Sequence, residues 1–505
     1  MVVTAHYLAT EAGVRVLEEG GNAVDAAVAA SLALAVCEPA GSGLGGMAVM
    51  LIHDPSEGRT RVLSGPCRAP GLATPGALAR VHRYRGHAAV AVPAYLAVIR
   101  QALARFGRLS EARVIAPAIA LAEEGFPLTG LQSALAAEYW RPLRRGNFAH
   151  LFLDDRGKPR PTGSLLRQPA LARTLRRLET NGFEDFYRGG IARTIAEDME
   201  VHGGFVRLVD LATAADPRET DPLVAHFEDR SVATAGPPAG GLTLLHMLRL
   251  LDAAGNLSLQ PEDPQWSLLM ARIVRRARTD RRRYRLRIGA EDVSGASDLL
   301  DPLVARDTVG PLVEDLAGTG ETSHLCTMDA NGLAVSLTQS IERSFGAAVG
   351  SAELGILFNG YLRAFKVKNQ RHPHYLAPGA PARSNAAPTI VSSRGEAQVL
   401  VGSTGSERAA SGILQVLARL RHQAPFDAAH APRLHCTPEG EVLLEADRFS
   451  ERSRRALTGA GLRLTTLDPY SVRVGGLQLI VRENGRLTGV SEPRRDGAAG
   501  GPRRD

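Results

Sequence analysis

Thr322-Ser323-His324-Leu325-Cys326-Thr327-Met328-Asp329-Ala330-Asn331-Gly332-Leu333-Ala334-Val335-Ser336-Leu337-Thr338-Gln339-Ser340 is the stretch that decides the architecture. Two strand-like runs, 324–328 and 333–338, flank Asp329-Ala330-Asn331-Gly332. Asn-Gly between such runs predicts a β-hairpin. Counting back from the turn places Thr322 opposite position 339, 340 or 341, according to whether the turn takes two residues or a bulged three or four. The hydroxyls of Thr322, Ser323, Thr338 and Ser340 then crowd one end of two paired strands. Gly402-Ser403-Thr404-Gly405-Ser406 offers backbone donors elsewhere in the chain. Spacing alone also fits an ordinary sheet, in which cross-strand Ser and Thr pairs are common.

Around this hairpin the second half reads as short strands at 355–358, 389–391, 398–401, 441–444 and 477–481, with helices such as 412–420 between them. The first half is mostly helical. A helix over 9–19 stops at Gly20-Gly21, and Asn22 stands where an N-cap would open an apolar helix through Val36. That helix is apolar nearly all round, which predicts burial. Further helices are expected over 95–106, 111–124, 190–202 and 244–254, the last after the break Pro237-Pro238-Ala239-Gly240-Gly241. Helices plus a mostly antiparallel sheet, without regular βαβ alternation, predict a layered α+β fold.

Gly41-Ser42-Gly43-Leu44-Gly45-Gly46 spells G-x-G-x-x-G, but it follows a helix and leads into the strand-like 47–52. A dinucleotide fingerprint needs the reverse order, so the loop reads as a close backbone approach and no nucleotide cofactor is expected.

The chain has 505 residues, 44% hydrophobic and 22% charged, as a globular protein has. Sixty Lys+Arg against 53 Asp+Glu give +7, and Lys158, Lys366 and Lys368 are the only lysines. That excess is too dilute for a nucleic-acid footprint. Positions 272–287 hold nine arginines in sixteen residues but only one aromatic, Tyr284, so no base-stacking platform is interleaved and an anion-facing or solvated helix is expected. Cys37, Cys67, Cys326 and Cys436 form no C-x-x-C pair, which excludes a written zinc cluster or disulfide framework. His372-Pro373-His374 lacks a third ligand of matching spacing and reads as loop, so no metal is expected. No apolar run approaches the ~20 residues of a membrane span and no export segment opens the chain, so the expected location is the cytoplasm. Residues 495–505, rich in Gly, Pro, Arg and Asp, are expected to be disordered.

Six motifs occur in one order: 20–29 (Gly-Gly-Asn-Ala-Val-Asp-Ala-Ala-Val-Ala), Ser42 to Gly46, 115–126 (Ile-Ala-Pro-Ala-Ile-Ala-Leu-Ala-Glu-Glu-Gly-Phe), Pro237 to Gly241, Thr322 to Leu325 and 355–359 (Gly-Ile-Leu-Phe-Asn). Together they resemble the gamma-glutamyltranspeptidase family over about residues 3–492. The resemblance implies an N-terminal nucleophile hydrolase, a four-layer αββα sandwich made as one precursor that cuts itself at Glu321-Thr322. A large-subunit-like region 1–321 and a small-subunit-like region 322–494 would remain together as a heterodimer of 1–321 and 322–505. A threonine hydroxyl is a poor nucleophile at its free pKa, and a chain-terminal Thr322 would carry its own general base as an α-amine.

Residue by residue, Thr338 matches the family threonine that orients the nucleophile hydroxyl, and Gly405 and Ser406 match the glycine pair of the oxyanion hole, where only backbone is used. The candidate substrate-contacting set is Arg68, Ser340, Glu342, Tyr361, Arg363, Ser384 and Asn385. It departs from the family. The Arg-Glu-x-Ala-Pro motif that holds a glutamyl α-carboxylate reads Pro66-Cys67-Arg68-Ala69-Pro70 here, moving the arginine by two positions, roughly 7 Å on an extended segment. Glu342 stands where the family has Asn, Arg363-Ala364 where it has Asp-Asp, and Asn385 where it has the second serine of a pair. Losing an acidic partner leaves an ammonium group costly to bury. The expected substrate is therefore a small molecule with carboxylate groups, cleaved or transferred through a threonine acyl-enzyme with altered donor specificity. Two alternatives are a hydrolase of a carbon–carbon bond in a pyrroline or alkylproline antibiotic precursor, which one branch of the superfamily performs, and a catalytically silent binding scaffold.

Overall fold

The computed structural model describes residues 1–81, 83–255, 259–284 and 322–502, with side chains as far as Arg282 in the helix that ends at Tyr284. Glu321, on the amino side of the proposed cleavage bond, the end of the arginine-rich run at 285–287 and the last residues, 503–505, lie outside the described residues.

Two sheets stack face to face. The first runs Ala498–Gly500, Val2–Thr4, Ser323–Met328, Ala334–Ser340, Met47–Asp54, Arg59–Gly65 and Arg218–Thr220, every pair antiparallel. The second runs Arg486–Ser491, Leu477–Glu483, Glu396–Ser403, Thr389–Ser393, Arg230–Thr234 and Leu223–Phe227. Side chains alternate across each strand, so one strand serves two cores. On Met47–Asp54, Ala48, Met50 and Ile52 join the core under the first helix layer, whereas Met47, Val49 and Leu51 face the other sheet together with Cys326, Met328, Ile390, Leu400 and Ile480. A third core packs Val399, Val401, Leu479 and Val481 under helices Gly241–Ala253, Pro264–Tyr284 and Ala409–Arg419. Three cores between four layers make the αββα sandwich.

Helix Ala23–Cys37 is buried along its whole length, as its all-round apolar face predicts. Its start is fixed by Asn22, whose side chain accepts from the Val24 and Asp25 N–H groups while Asp25 accepts from the Asn22 N–H at 2.8 Å. Helices Tyr95–Phe106 and Glu111–Glu124 fall where the periodicity puts them. The arginine-rich helix does not present a free basic face among its described residues. Arg276 pairs with Asp280, Arg278 with Glu407 and Arg282 with Glu439, and Arg275 donates to the Pro438 carbonyl.

The expectation of a disordered tail from 495 is corrected over its described residues, 495–502. Arg495 is buried, and Ala498–Gly500 forms the edge strand on Val2–Thr4. Composition misled here because one buried guanidinium and three ladder pairs outweigh a Gly- and Pro-rich sequence.

Candidate active site

The hairpin closes with Asp329 N–H to Leu333 O at 3.1 Å and Gly332 at φ +86, a three-residue loop with glycine in the left-handed region. Its register pairs Met328 with Ala334 and Ser323 with Gln339, and the next step sets Thr322 opposite Ser340. Thr322 Oγ1 donates to Ser340 Oγ at 3.4 Å. The Ser340 hydroxyl is fixed in turn by the Glu342 N–H at 2.9 Å and by the Tyr361 phenol, which also bonds Ser384. Gly41, in the glycine loop, comes so close that an added Cβ would stand 3.4 Å from the Thr322 backbone nitrogen. That close approach is what the G-x-G-x-x-G stretch serves.

The register corrects the role expected of Thr338. It sits opposite His324, and its hydroxyl bonds His324 Nδ1 at 2.8 Å. Burial lowers His324 to about 3, so the ring is neutral, and it packs on Gly402 of the facing sheet. Ser340, two residues on and on the same strand face, takes the place beside Thr322.

Gly405 and Ser406 turn the chain from strand Glu396–Ser403 into helix Ala409–Arg419, with φ of +98 and +55. Gly405 lies against Gly475, whose Cα would be 2.8 Å from an added Cβ. Among the described residues, neither Gly405 N–H nor Ser406 N–H has an acceptor. Asn385 Nδ2 donates to Ser406 Oγ at 3.3 Å, and its Oδ1 accepts from Arg281 at 3.1 Å. The Pro237-to-Gly241 loop backs this segment, with Ser384 N–H to Pro238 O at 2.9 Å and Gly240 N–H to Ala386 O at 2.7 Å.

Two residues that sequence reasoning missed join the nucleophile strand to this turn. Glu38 accepts from Ser323 Oγ and pairs with Arg495 at 3.4 Å, and Arg495 donates to Thr404 Oγ1 at 2.9 Å. One signal was visible: Glu38 is a charge directly after an apolar helix. Nothing in the spacing places Arg495.

Around Glu342 the field is positive. Its Oε1 is 3.3 Å from Arg363, while Oε2 is buried with no hydrogen-bond partner among the described residues. Burial pushes its carboxyl up to about 7, against the opposing pull of Arg363, Arg343, Arg85 and Arg383. Arg343 is lowered by burial and by Arg363, and Arg85 is lowered to about 10 by burial and by Arg343. Arg85 is held by the Ser344 and Gly346 carbonyls at 3.0 and 2.8 Å. Arg85 and Arg383 were not foreseen. Arg68 directs its guanidinium to the Gly379 carbonyl at 3.0 Å and is not brought to Thr322 by any contact among the described residues.

The His372-Pro373-His374 loop behaves as loop. His374 N–H donates to His372 Nδ1 at 3.0 Å, and burial together with Arg383 and Arg281 lowers His374 to about 3, a setting that repels cations. No helix among the described residues is long and apolar enough to cross a membrane.

Residues 9–501 match the gamma-glutamyltranspeptidase family. The chain is 30% identical over 541 residues to a glutathione hydrolase proenzyme of Bacillus subtilis (strain 168), covering 99% of this chain and 91% of that one. It is 31% identical over 529 residues to an oxamate amidohydrolase proenzyme of Klebsiella pneumoniae, covering 99% and 98%. The crystal structure of cephalosporin acylase from Bacillus halodurans superposes with a TM-score of 0.89 at 25% identity, covering 100% of this chain and 96% of that one. With the hairpin, the glycine loop and the αββα layers in place, the chain belongs to the gamma-glutamyltranspeptidase family of N-terminal nucleophile hydrolases.

Proposed function

We propose that the chain cuts itself at Glu321-Thr322 and then cleaves an acyl donor carrying carboxylate groups through an acyl-enzyme on Thr322. The observation that carries this reading is the pairing of Thr322 with Ser340 at the end of the hairpin, hydroxyl to hydroxyl at 3.4 Å. The freed α-amine takes the hydroxyl proton as Oγ1 attacks the donor carbonyl. The oxyanion forms against the Gly405 and Ser406 N–H groups, the leaving group departs with the proton, and water or an amine releases the acyl group. Glu342 among four arginines favours an anionic donor over one presenting a free ammonium.

The intact mass of wild type beside Thr322→Ala tests the nucleophile. Two fragments meeting at Glu321-Thr322, and one uncut variant chain, are expected. A single uncut wild-type chain sinks the proposal and leaves the binding-scaffold reading. Turnover of dicarboxyl anilides well above gamma-glutamyl anilides supports the altered donor pocket. The carbon–carbon hydrolase reading draws on the same arginines and on Ala364. It is discarded if gamma-glutamyl anilides are cleaved as well as dicarboxyl ones.

A further inference from the structure

We infer that His87, Asp198 and His202 form a site for a divalent transition cation of the zinc class, separate from the nucleophile. Asp198 and His202 stand one turn apart at the end of helix Gly190–Val201, and His87 reaches them from the short helix His87–Ala89. One ligand atom from each residue lies within 4.8 Å of the other two. His87 Nε2 is 3.2 Å from Asp198 Oδ2, and His202 Nδ1 is 3.5 Å from Asp198 Oδ1. Ligand atoms around a tetrahedral zinc with bonds of about 2.0–2.1 Å stand about 3.3 Å apart, close to the His87–Asp198 distance.

Two buried atoms here want a partner. His87 Nε2 and Asp198 Oδ2 make no hydrogen bond, with each other or with any described group, although the His87 side chain is only 10% exposed. A buried polar pair left this way is costly, and a cation between them satisfies both. The His87 and His202 rings stack at 4.5 Å, which brings both imidazoles to one side of the carboxylate. His202 Nδ1–H donates to the Asp198 carbonyl at 2.9 Å, which fixes the ring and leaves Nε2 as the nitrogen that would take the ion. The His202 side chain is 49% exposed and gives an entry path and an open coordination position. Two imidazoles and one carboxylate suit zinc or its relatives better than calcium or magnesium. Bound there, the ion would fasten the 83–91 segment, which carries Arg85 into the Glu342 pocket, to helix Gly190–Val201.

The test uses tag-free protein stripped with a chelator, titrated with Co²⁺ by visible absorption and with Zn²⁺ by calorimetry. One ion per chain with a tetrahedral cobalt spectrum is expected, with affinity falling about a hundredfold in His87→Gln and in the solvent-facing His202→Ala. Zn²⁺ should raise the melting temperature of wild type and of Thr322→Ala alike, but of neither ligand variant. No stoichiometric binding by wild type, or equal binding by His202→Ala, overturns the site whether or not the chain is cut.

Discussion

Arg495 Nη1 meets Glu38 Oε1 at 3.4 Å across 457 positions of chain, and both side chains are buried. Through Ser323 and Thr404 the pair ties the nucleophile strand to the turn that carries the oxyanion donors. Arg495→Gln removes the guanidinium that faces the buried Glu38 carboxylate, a loss that costs about 3–5 kcal/mol. Denaturant unfolding should show that loss, and adding Glu38→Gln should restore part of it, because the two sites share one interaction. Additive losses would mean that the pair is not coupled.

Ser340 and Thr338 lie on the same strand face yet should respond differently. Ser340→Ala removes the group beside Thr322 and should lower kcat by up to about 10-fold, the equivalent of a ~0.5–1.5 kcal/mol bond between neutral hydroxyls, with little change in melting temperature. Thr338→Val removes the partner of His324 Nδ1 and should lower stability by about 1–3 kcal/mol while the rate of correctly folded protein holds. Acyl-enzyme formation followed by mass, beside thermal melting, separates the two.

Glu342 supplies a pH dependence with a defined sign. Its folded pKa, about 7, stands above the unfolded value of about 4.3, so the folded state holds the proton more tightly. Its contribution to stability is therefore complete at pH below the unfolded value and is lost as pH rises to 7. In the pocket, the neutral carboxyl leaves the arginines unopposed. KM for a dicarboxyl donor should rise as pH passes through 7, and Glu342→Gln should flatten that rise. An unchanged profile in the variant would remove Glu342 from substrate recognition.

Gly405 holds φ +98 against Gly475. Gly405→Ala adds about 1–3 kcal/mol of backbone strain and a contact that the Gly475 backbone must absorb. Displacing one oxyanion donor should cost kcat about a hundredfold. Steady-state kinetics on folded variant checks this, and an unimpaired kcat would place the oxyanion elsewhere.

Much of this architecture was legible because local chemistry and tertiary structure agree. Asn331-Gly332 set a hairpin, Asn22 capped a helix, and the apolar run to Cys37 announced a buried one. The site was legible to within a register step. Counting from Asn331-Gly332 left Thr322 opposite 339, 340 or 341, and only the length of the turn selected Ser340 over its neighbours. Arg495, Arg85 and Arg383 were beyond reach, since each gains its meaning from a partner far away in sequence. His87 escaped for the same reason: its ring means little until helix Gly190–Val201 sets Asp198 and His202 beside it.

The Met1 backbone nitrogen lies 3.9 Å from where a Cβ on Gly501 would be, so the two ends of the described chain are neighbours on one sheet edge. A circular permutant is therefore within reach. Joining Pro502 to Met1 and reopening the chain at Thr322 would present the threonine amine after removal of the initiator methionine, with no self-cleavage required. Such a chain would separate the chemistry of maturation from that of turnover in one polypeptide, and it would let Glu321 be dispensed with entirely.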